Sequence, residues 1–198
     1  SHLLRANGLR VGMTNTDGVY VNGRQTDSGD CSGPRSGRNV LAHPDVDAAV
    51  LETARGGMLR EGLAFDRCQV AVVTNIGMGD HLGLNYITTV EDLAVLKRVI
   101  VQNVAESGTA VLNATDPIVA AMANKCPGQV TFFGLDSHHP VIATHRAQGK
   151  RVLFVEDDQI VAMQGNHSVR IPLSEIPVTR GGAISFQIEN AMASIGAA

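Results

Sequence analysis

The sequence predicts an α/β protein, a doubly wound and mostly parallel sheet carrying a small antiparallel β insertion over residues 151–173, and three observations lead there. Ala48 to Leu51 and Val70 to Val73 are compact runs of Ala, Leu and β-branched residues. They are separated by a segment able to form a helix around Leu59 to Leu63. Strand, helix, strand alternation of this kind favours parallel pairing. Thr89 to Val104 then places Leu93, Leu96, Ile100 and Val104 at a helical spacing, with Glu91 and Asp92 in its first turn. The texture changes after Gly134. Arg151 to Glu156, Gln159 to Met163 and Ser168 to Pro172 alternate in polarity and are joined by Asp157-Asp158 and Gly165-Asn166, the signature of an antiparallel meander.

The remaining elements follow in order. His2 to Asn7 reads as the last turns of a helix stopped by Gly8, Arg10 to Asn15 as a strand, Asp17-Gly18 as a turn, and Val19 to Asn22 as a short strand. Gln25 to Ser36 is polar and Gly-rich, which predicts a loop, and Arg38 to Ala42 a short helix before His43-Pro44. Ala110 to Asn113 is a further strand. Asp116-Pro117 supplies an N-cap with Pro at N1 for a helix through Ala123; Gln129 to Gly134 is a strand and Ser185 to Ile195 the terminal helix.

With 198 residues, 44% apolar and 18% charged, the chain is expected to be one ordered domain, or a domain with a small appendage, with a sizeable core. Its 16 basic and 19 acidic residues show no dominant sign, and the basic ones are not interleaved with aromatics, so nucleic-acid binding has no support. Cys31, Cys68 and Cys126 are widely spaced and form no C-x-x-C pair, which fits reduced thiols of a cytoplasmic protein. No apolar run approaches the roughly 20 residues that span a bilayer.

The chemistry concentrates in two segments. VLETARGGMLREGL, Val50 to Leu63, puts Glu52 directly after a strand, where a carboxylate can reach a hard cation, and follows it with Gly56-Gly57, which permits close backbone approach to an anion. TNIGMGDHLGL, Thr74 to Leu84, puts His81 in a polar turn after a second strand. Ligands of open α/β sheets sit at the carboxyl ends of strands, so Glu52 and His81 are expected to converge on one divalent cation beside a triphosphate pocket. Imidazole and carboxylate together do not select magnesium by themselves, since that ion prefers oxygen. Lys97 lies on the long helix; near a metal it can carry a carbamate, turning a cation into a carboxylate-like anion. Asn190, in FQIENAMA, has the donor and acceptor needed to read an adenine edge. Asn113 and Asp116 read first as capping residues. Asn113 and Thr14 are also candidate nucleotide contacts, and Arg55 and Arg60 can face an anionic substrate.

These segments, with GMTNTDGVYVNG at Gly12 to Gly23, GDCSGPRSGRNVL at Gly29 to Leu41, VEDLAVLKRVIV at Val90 to Val101 and VLNATDPIVAAMA at Val111 to Ala123, resemble the central ATP-binding domain of the Mur ligase family along nearly the whole chain. TARGG and GDHLGL together carry the specificity of that match. The resemblance implies ATP-dependent amide formation, in which a substrate carboxylate takes the γ-phosphoryl group and an amine then displaces phosphate. It implies Glu52 and His81 as Mg2+ ligands, Lys97 as the carbamylated lysine and Asn190 as the adenine contact. Within the family it points to the branch that adds arginine to an aspartate-arginine polymer, so ATP, arginine and that polymer are the implied partners. Gln187 stands where the family often has Asn, and Thr115 where it has an acidic pair before the proline.

The sequence contains no G-x-x-x-x-G-K-[ST] loop. The expectation is therefore a truncated ligase, its phosphate loop preceding Leu3 and its carboxyl-terminal ligase domain absent, that is inactive alone. The alternatives are another Mur-type amino-acid ligase, or a non-catalytic α/β module that uses its sheet for self-association.

Overall fold

The computed structural model describes residues 1–76 and 87–198, and these divide into two compact units, residues 1–66 with Ala198, and residues 67–197.

The first unit contains helix α1 (His2–Ala6), strands β1 (Val11–Asn15), β2 (Gly18–Val21) and β3 (Arg24–Ser28), helix α2 (Pro34–Leu41), strand β4 (Ala48–Leu51) and helix α3 (Arg55–Glu61). Its sheet has the order β3-β2-β1-β4. The β1–β2 turn is held by the Asn15 side-chain oxygen, which accepts from the N–H groups of Asp17 and Gly18 at 3.0 Å each. Gly18 is required there: a Cβ would lie 2.2 Å from the Asp27 carbonyl oxygen on β3. Parallel pairing of β1 with β4 sets Thr14 opposite Leu51, so the two strands end side by side, just before Glu52. Helix α2 packs closely on β1, where Gly12 leaves room for the Val40 side chain.

The polar stretch expected as a loop over Gln25 to Ser36 is corrected here. Its first part is β3, an edge strand exposed at every residue, and its last part opens α2 at Pro34. An edge strand solvated on both faces has no core face and therefore no alternation for a sequence to display.

The second unit runs β5 (Cys68–Val73), α4 (Val90–Gln102), β6 (Val104–Asn113), α5 (Pro117–Ala121), β7 (Gln129–Asp136), α6 (Pro140–Ala147), β8 (Val152–Glu156), β9 (Gln159–Gln164), β10 (His167–Pro172) and α7 (Ser185–Ala197). Short 3₁₀ turns follow α5 and precede α7. The strand order is β10-β9-β8-β7-β6-β5; β5 through β8 pair in parallel and β8 through β10 antiparallel. The α/β class with a mostly parallel sheet is thus as expected. Two refinements apply. The two runs read as neighbouring parallel strands are partnered differently, β4 with β1 and β5 with β6. The segment over 151–173 is continuous with the main sheet, because β8 pairs with β7 before the meander turns antiparallel.

Side-chain alternation builds the core on both sheet faces. Leu112, Phe132 and Phe154 join Leu93 and Val101 of α4, Val119 of α5 and Ile142 of α6. Their sequence neighbours Val111, Phe133 and Leu153 face the other way, onto Ile188 and Met192 of α7. Helix α4 starts at a reciprocal cap: the Thr89 hydroxyl accepts from the Asp92 N–H at 3.1 Å, and the Asp92 carboxylate accepts from the Thr89 N–H at 3.2 Å. Asp116 caps α5 through the N–H groups of Ile118 and Val119, as its spacing before Pro117 predicts. Helix α6 has no counterpart in the sequence reading; Pro140 occupies its first helical position, where its missing N–H costs nothing. No described helix is long and apolar enough to cross a membrane.

Candidate nucleotide and metal site

Glu52 leaves the end of β4 with its backbone N–H donating to the Thr14 carbonyl at 3.0 Å, which continues the β1–β4 ladder one step beyond the strand. Its side chain is exposed, and Oε2 accepts from the Thr16 N–H at 3.2 Å. The carboxylate is thereby tied to the β1–β2 turn. Thr14 is 1% exposed, and its hydroxyl oxygen is buried without a hydrogen-bond partner. Of the residues expected at the site, the structure therefore brings Thr14 and Glu52 together. Arg55 follows at the start of α3 and is half-buried.

A shallow depression beside Glu52 is lined by Ser32, Gly33, Leu51 and Thr53. Asp30 borders this region: its carboxylate accepts from the Ser32 N–H at 3.1 Å and from the Ser32 hydroxyl at 2.5 Å. The Ser32 hydroxyl and amide bonds, and the more distant charge of Arg60, hold the Asp30 carboxyl below its ordinary range. Thr16 and Asp30 are site-region residues that sequence reasoning missed. The backbone amide of Thr16 carries no residue-type signal, whereas D-x-S at Asp30 to Ser32 is a recognisable side-chain turn.

The Glu52 carboxylate fits a hard, oxygen-seeking cation: it is exposed at a strand end, with the Thr16 amide on one oxygen. Magnesium is commonly held by one or two carboxylates with phosphates and water completing its shell. No three His, Cys, Asp or Glu side chains cluster among the described residues. His81, the other expected ligand, lies outside the described residues.

In the second unit, Lys97 is half-buried on α4. Asn113 is buried at the carboxyl end of β6, where its side-chain oxygen accepts from the Thr115 N–H at 2.9 Å and the Thr115 hydroxyl at 2.7 Å. That oxygen is engaged in shaping the β6–α5 turn, the capping role read from sequence. Asp116 adds a second task, accepting from the Ile76 N–H at 2.8 Å and so tying the chain leaving β5 to the same turn. Asn190 is exposed on α7, and its Nδ2 donates to Gln187 Oε1 at 3.3 Å. A cavity of about 260 Å³ lies between α4 and α5, lined by Glu91, Val95, Arg98, Ile118 and Met122, and none of the expected site residues lines it.

The Mur ligase middle domain model matches residues 1–198. Over 199 aligned residues the chain is 44% identical to the cyanophycin synthetase of Synechocystis sp., covering 100% of this chain and 23% of that protein. It is 42% identical to the cyanophycin synthetase of Crocosphaera subtropica with the same coverage. The chain thus spans about 23% of the length of these curated relatives. Among solved structures, a UDP-N-acetylmuramoyl-L-alanyl-D-glutamate--2,6-diaminopimelate ligase superposes with a TM-score of 0.64 at 18% identity, covering 97% of this chain and 40% of that one. MurF from Acinetobacter baumannii superposes with a TM-score of 0.57 at 16% identity, covering 98% of this chain and 37% of that one. At such identities these likenesses speak to the fold. The family-model match and the relatives that align along the full chain establish that this chain belongs to the Mur ligase middle-domain family.

Proposed function

We propose that this region binds ATP with Mg2+ and serves the arginine-adding half of a cyanophycin-type ligase, acting in the cytoplasm on an aspartate-arginine polymer. The reaction is carboxylate activation by phosphoryl transfer followed by amide formation: the carboxylate oxygen takes the γ-phosphoryl group and ADP leaves, then the arginine amine attacks the acyl carbon and phosphate leaves. The observation that carries this reading is Glu52 at the carboxyl end of a parallel strand, in a chain 44% identical throughout to a cyanophycin synthetase.

Phosphoryl transfer needs mainly positioning and charge neutralisation. Mg2+ would supply the neutralisation, with Glu52 and His81 as its protein ligands. The Thr16 amide orients the Glu52 carboxylate, and Thr14, on the strand beside it, would contact the nucleotide. Lys97, as a carbamate, would contribute anionic oxygens, Asn190 and Asn113 would contact the nucleotide, and Arg55 would face the anionic substrate. The absence of a phosphate loop from this sequence supports little turnover by the 198-residue chain alone.

Phosphate release by the full-length protein tests the assignment. ATP consumption should depend on arginine together with an aspartate-containing polymer. Turnover with glutamate or a peptidoglycan precursor, and none with arginine, would replace the cyanophycin assignment with another Mur-type ligase.

A further inference from the structure

Helices α4 and α5 do not close against each other. The cavity of about 260 Å³ between them is walled by one face of each: Glu91, Val95 and Arg98 stand at i, i+4 and i+7 along α4, and Ile118 and Met122 at i and i+4 across from them. Ala94 and Ala121, which complete the lining, are too short to fill the gap.

Arg98 is the anomaly in this wall. Its Nε is buried and has no hydrogen-bond partner, although a buried donor left unpaired is costly. Nε–H and the neighbouring Nη–H form one side of the guanidinium fork, the side that a carboxylate takes with two parallel bonds. Glu91, which is exposed, sits two turns earlier on the same face, about 10.5 Å away along the helix axis. The wall thus carries a cation at one end, a carboxylate at the other and aliphatic side chains between them.

We propose that this cavity binds one small amino acid whose opposite charges are separated by an aliphatic stem. Its carboxylate lies on Arg98, its stem against Val95, Ile118 and Met122, and its cationic end towards Glu91. The volume suits such a ligand: at about 30 Å³ for each water the cavity holds roughly nine of them, the bulk of a lysine-sized molecule and less than a nucleotide needs. A wholly apolar ligand would leave Arg98 unpaired, and an inorganic anion would leave the aliphatic wall bare. None of the residues expected to hold nucleotide or metal lines the cavity, so the proposal stands apart from the ATP reading.

Titration calorimetry of the full-length protein with ε-aminocaproate, in the absence of ATP, tests it. This probe has the required charge separation but lacks the guanidinium and the α-amino group, and so does not imitate arginine as a substrate. The wild type should bind one equivalent per chain. Arg98→Gln should weaken binding about 10-fold or more, through loss of the bidentate pair. Glu91→Gln should weaken it only about threefold, because that carboxylate is exposed. Val95→Trp, at a position 52% exposed, fills the cavity and should abolish binding without lowering the melting temperature. Caproate, which has no cation, should bind more weakly than the probe and lose its binding in Arg98→Gln, whereas hexylamine, which has no carboxylate, should not bind. Absence of binding by the wild type up to about 10 mM overturns the proposal, and is the outcome expected if another part of the full-length chain covers the cavity. So does binding that survives both Arg98→Gln and Val95→Trp, which would put the probe elsewhere on the protein.

Discussion

The N–H of Thr16 donates to Glu52 Oε2 at 3.2 Å, linking the turn after β1 to the carboxylate that ends β4. Two parallel strands that finish in register thus share a clamp at their carboxyl ends, one contributing the acid and the other the amide that orients it. Glu52→Gln keeps an oxygen for that amide and removes only the charge. Thermal unfolding should be nearly unchanged, within about 0.5 kcal/mol for an exposed position. Activity of the full-length ligase should fall on the order of 100-fold, with a raised Mg2+ requirement. Full activity at the wild-type Mg2+ requirement would remove Glu52 from the metal site.

Lys97 distinguishes a charge role from a carbamate role. Lys97→Ala deletes the ammonium and any carbamate built on it. If the carbamate is the working form, added short-chain carboxylates should restore part of the lost activity by supplying similar oxygens. Rescue by alkylamines with none by carboxylates would assign Lys97 a cationic role instead.

The reciprocal cap at the start of α4 predicts a stability effect independent of catalysis. Thr89→Ala should cost about 1 kcal/mol in chemical denaturation. The Thr89 hydroxyl, followed by the Thr88 and Thr89 amides, holds the Asp92 carboxyl below its ordinary value of 3.8. A depressed carboxyl stabilises the folded state above the unfolded-state value, and that contribution fades as pH falls through the folded one. Thr89→Ala should therefore lessen the loss of stability on acidification below about pH 4. An acid limb identical to the wild type would show that the cap has no such linkage.

This cap also illustrates what the sequence made legible. Thr89, Asp92 and the apolar positions at Leu93 and Leu96 are local signals, and the helix starts where they place it. Ala48 to Leu51 forms a strand with those bounds for the same reason, being a short apolar run closed by polar neighbours. Pairing is not local. Whether β4 pairs with β5 or with β1 depends on surfaces far apart in sequence, and the alternation of strand and helix cannot choose between them. Strand β3 is silent because Arg24 to Ser28 has no buried face, and α6 because Pro140 opens a helix as readily as it ends a turn. The strand-end place of Glu52 was legible, whereas the roles proposed for Asn190 and Lys97 rest on the family resemblance. The amide of Thr16 was not legible, since any residue supplies one.

His145 offers a pH readout in the second unit. It lies on α6, 8% exposed, with Nε2 2.8 Å from the Val130 carbonyl and its ring edge-on to Phe132 at 4.8 Å. Burial pushes its pKa below the ordinary 6.5; the Val130 carbonyl opposes that shift, and the charge of Lys150 adds to it. The folded chain therefore favours the neutral ring, with Nε2–H donating to Val130. As pH falls through about 6.5 the unfolded chain takes up the proton first, so stability is lost toward acid and is fully present above that value. His145→Gln keeps a donor for Val130 and has no proton to gain. Melting temperatures across pH 5–7 should thus fall toward acid in the wild type, with a shallower slope in the variant. Equal slopes would mean that His145 titrates alike in the folded and unfolded chains.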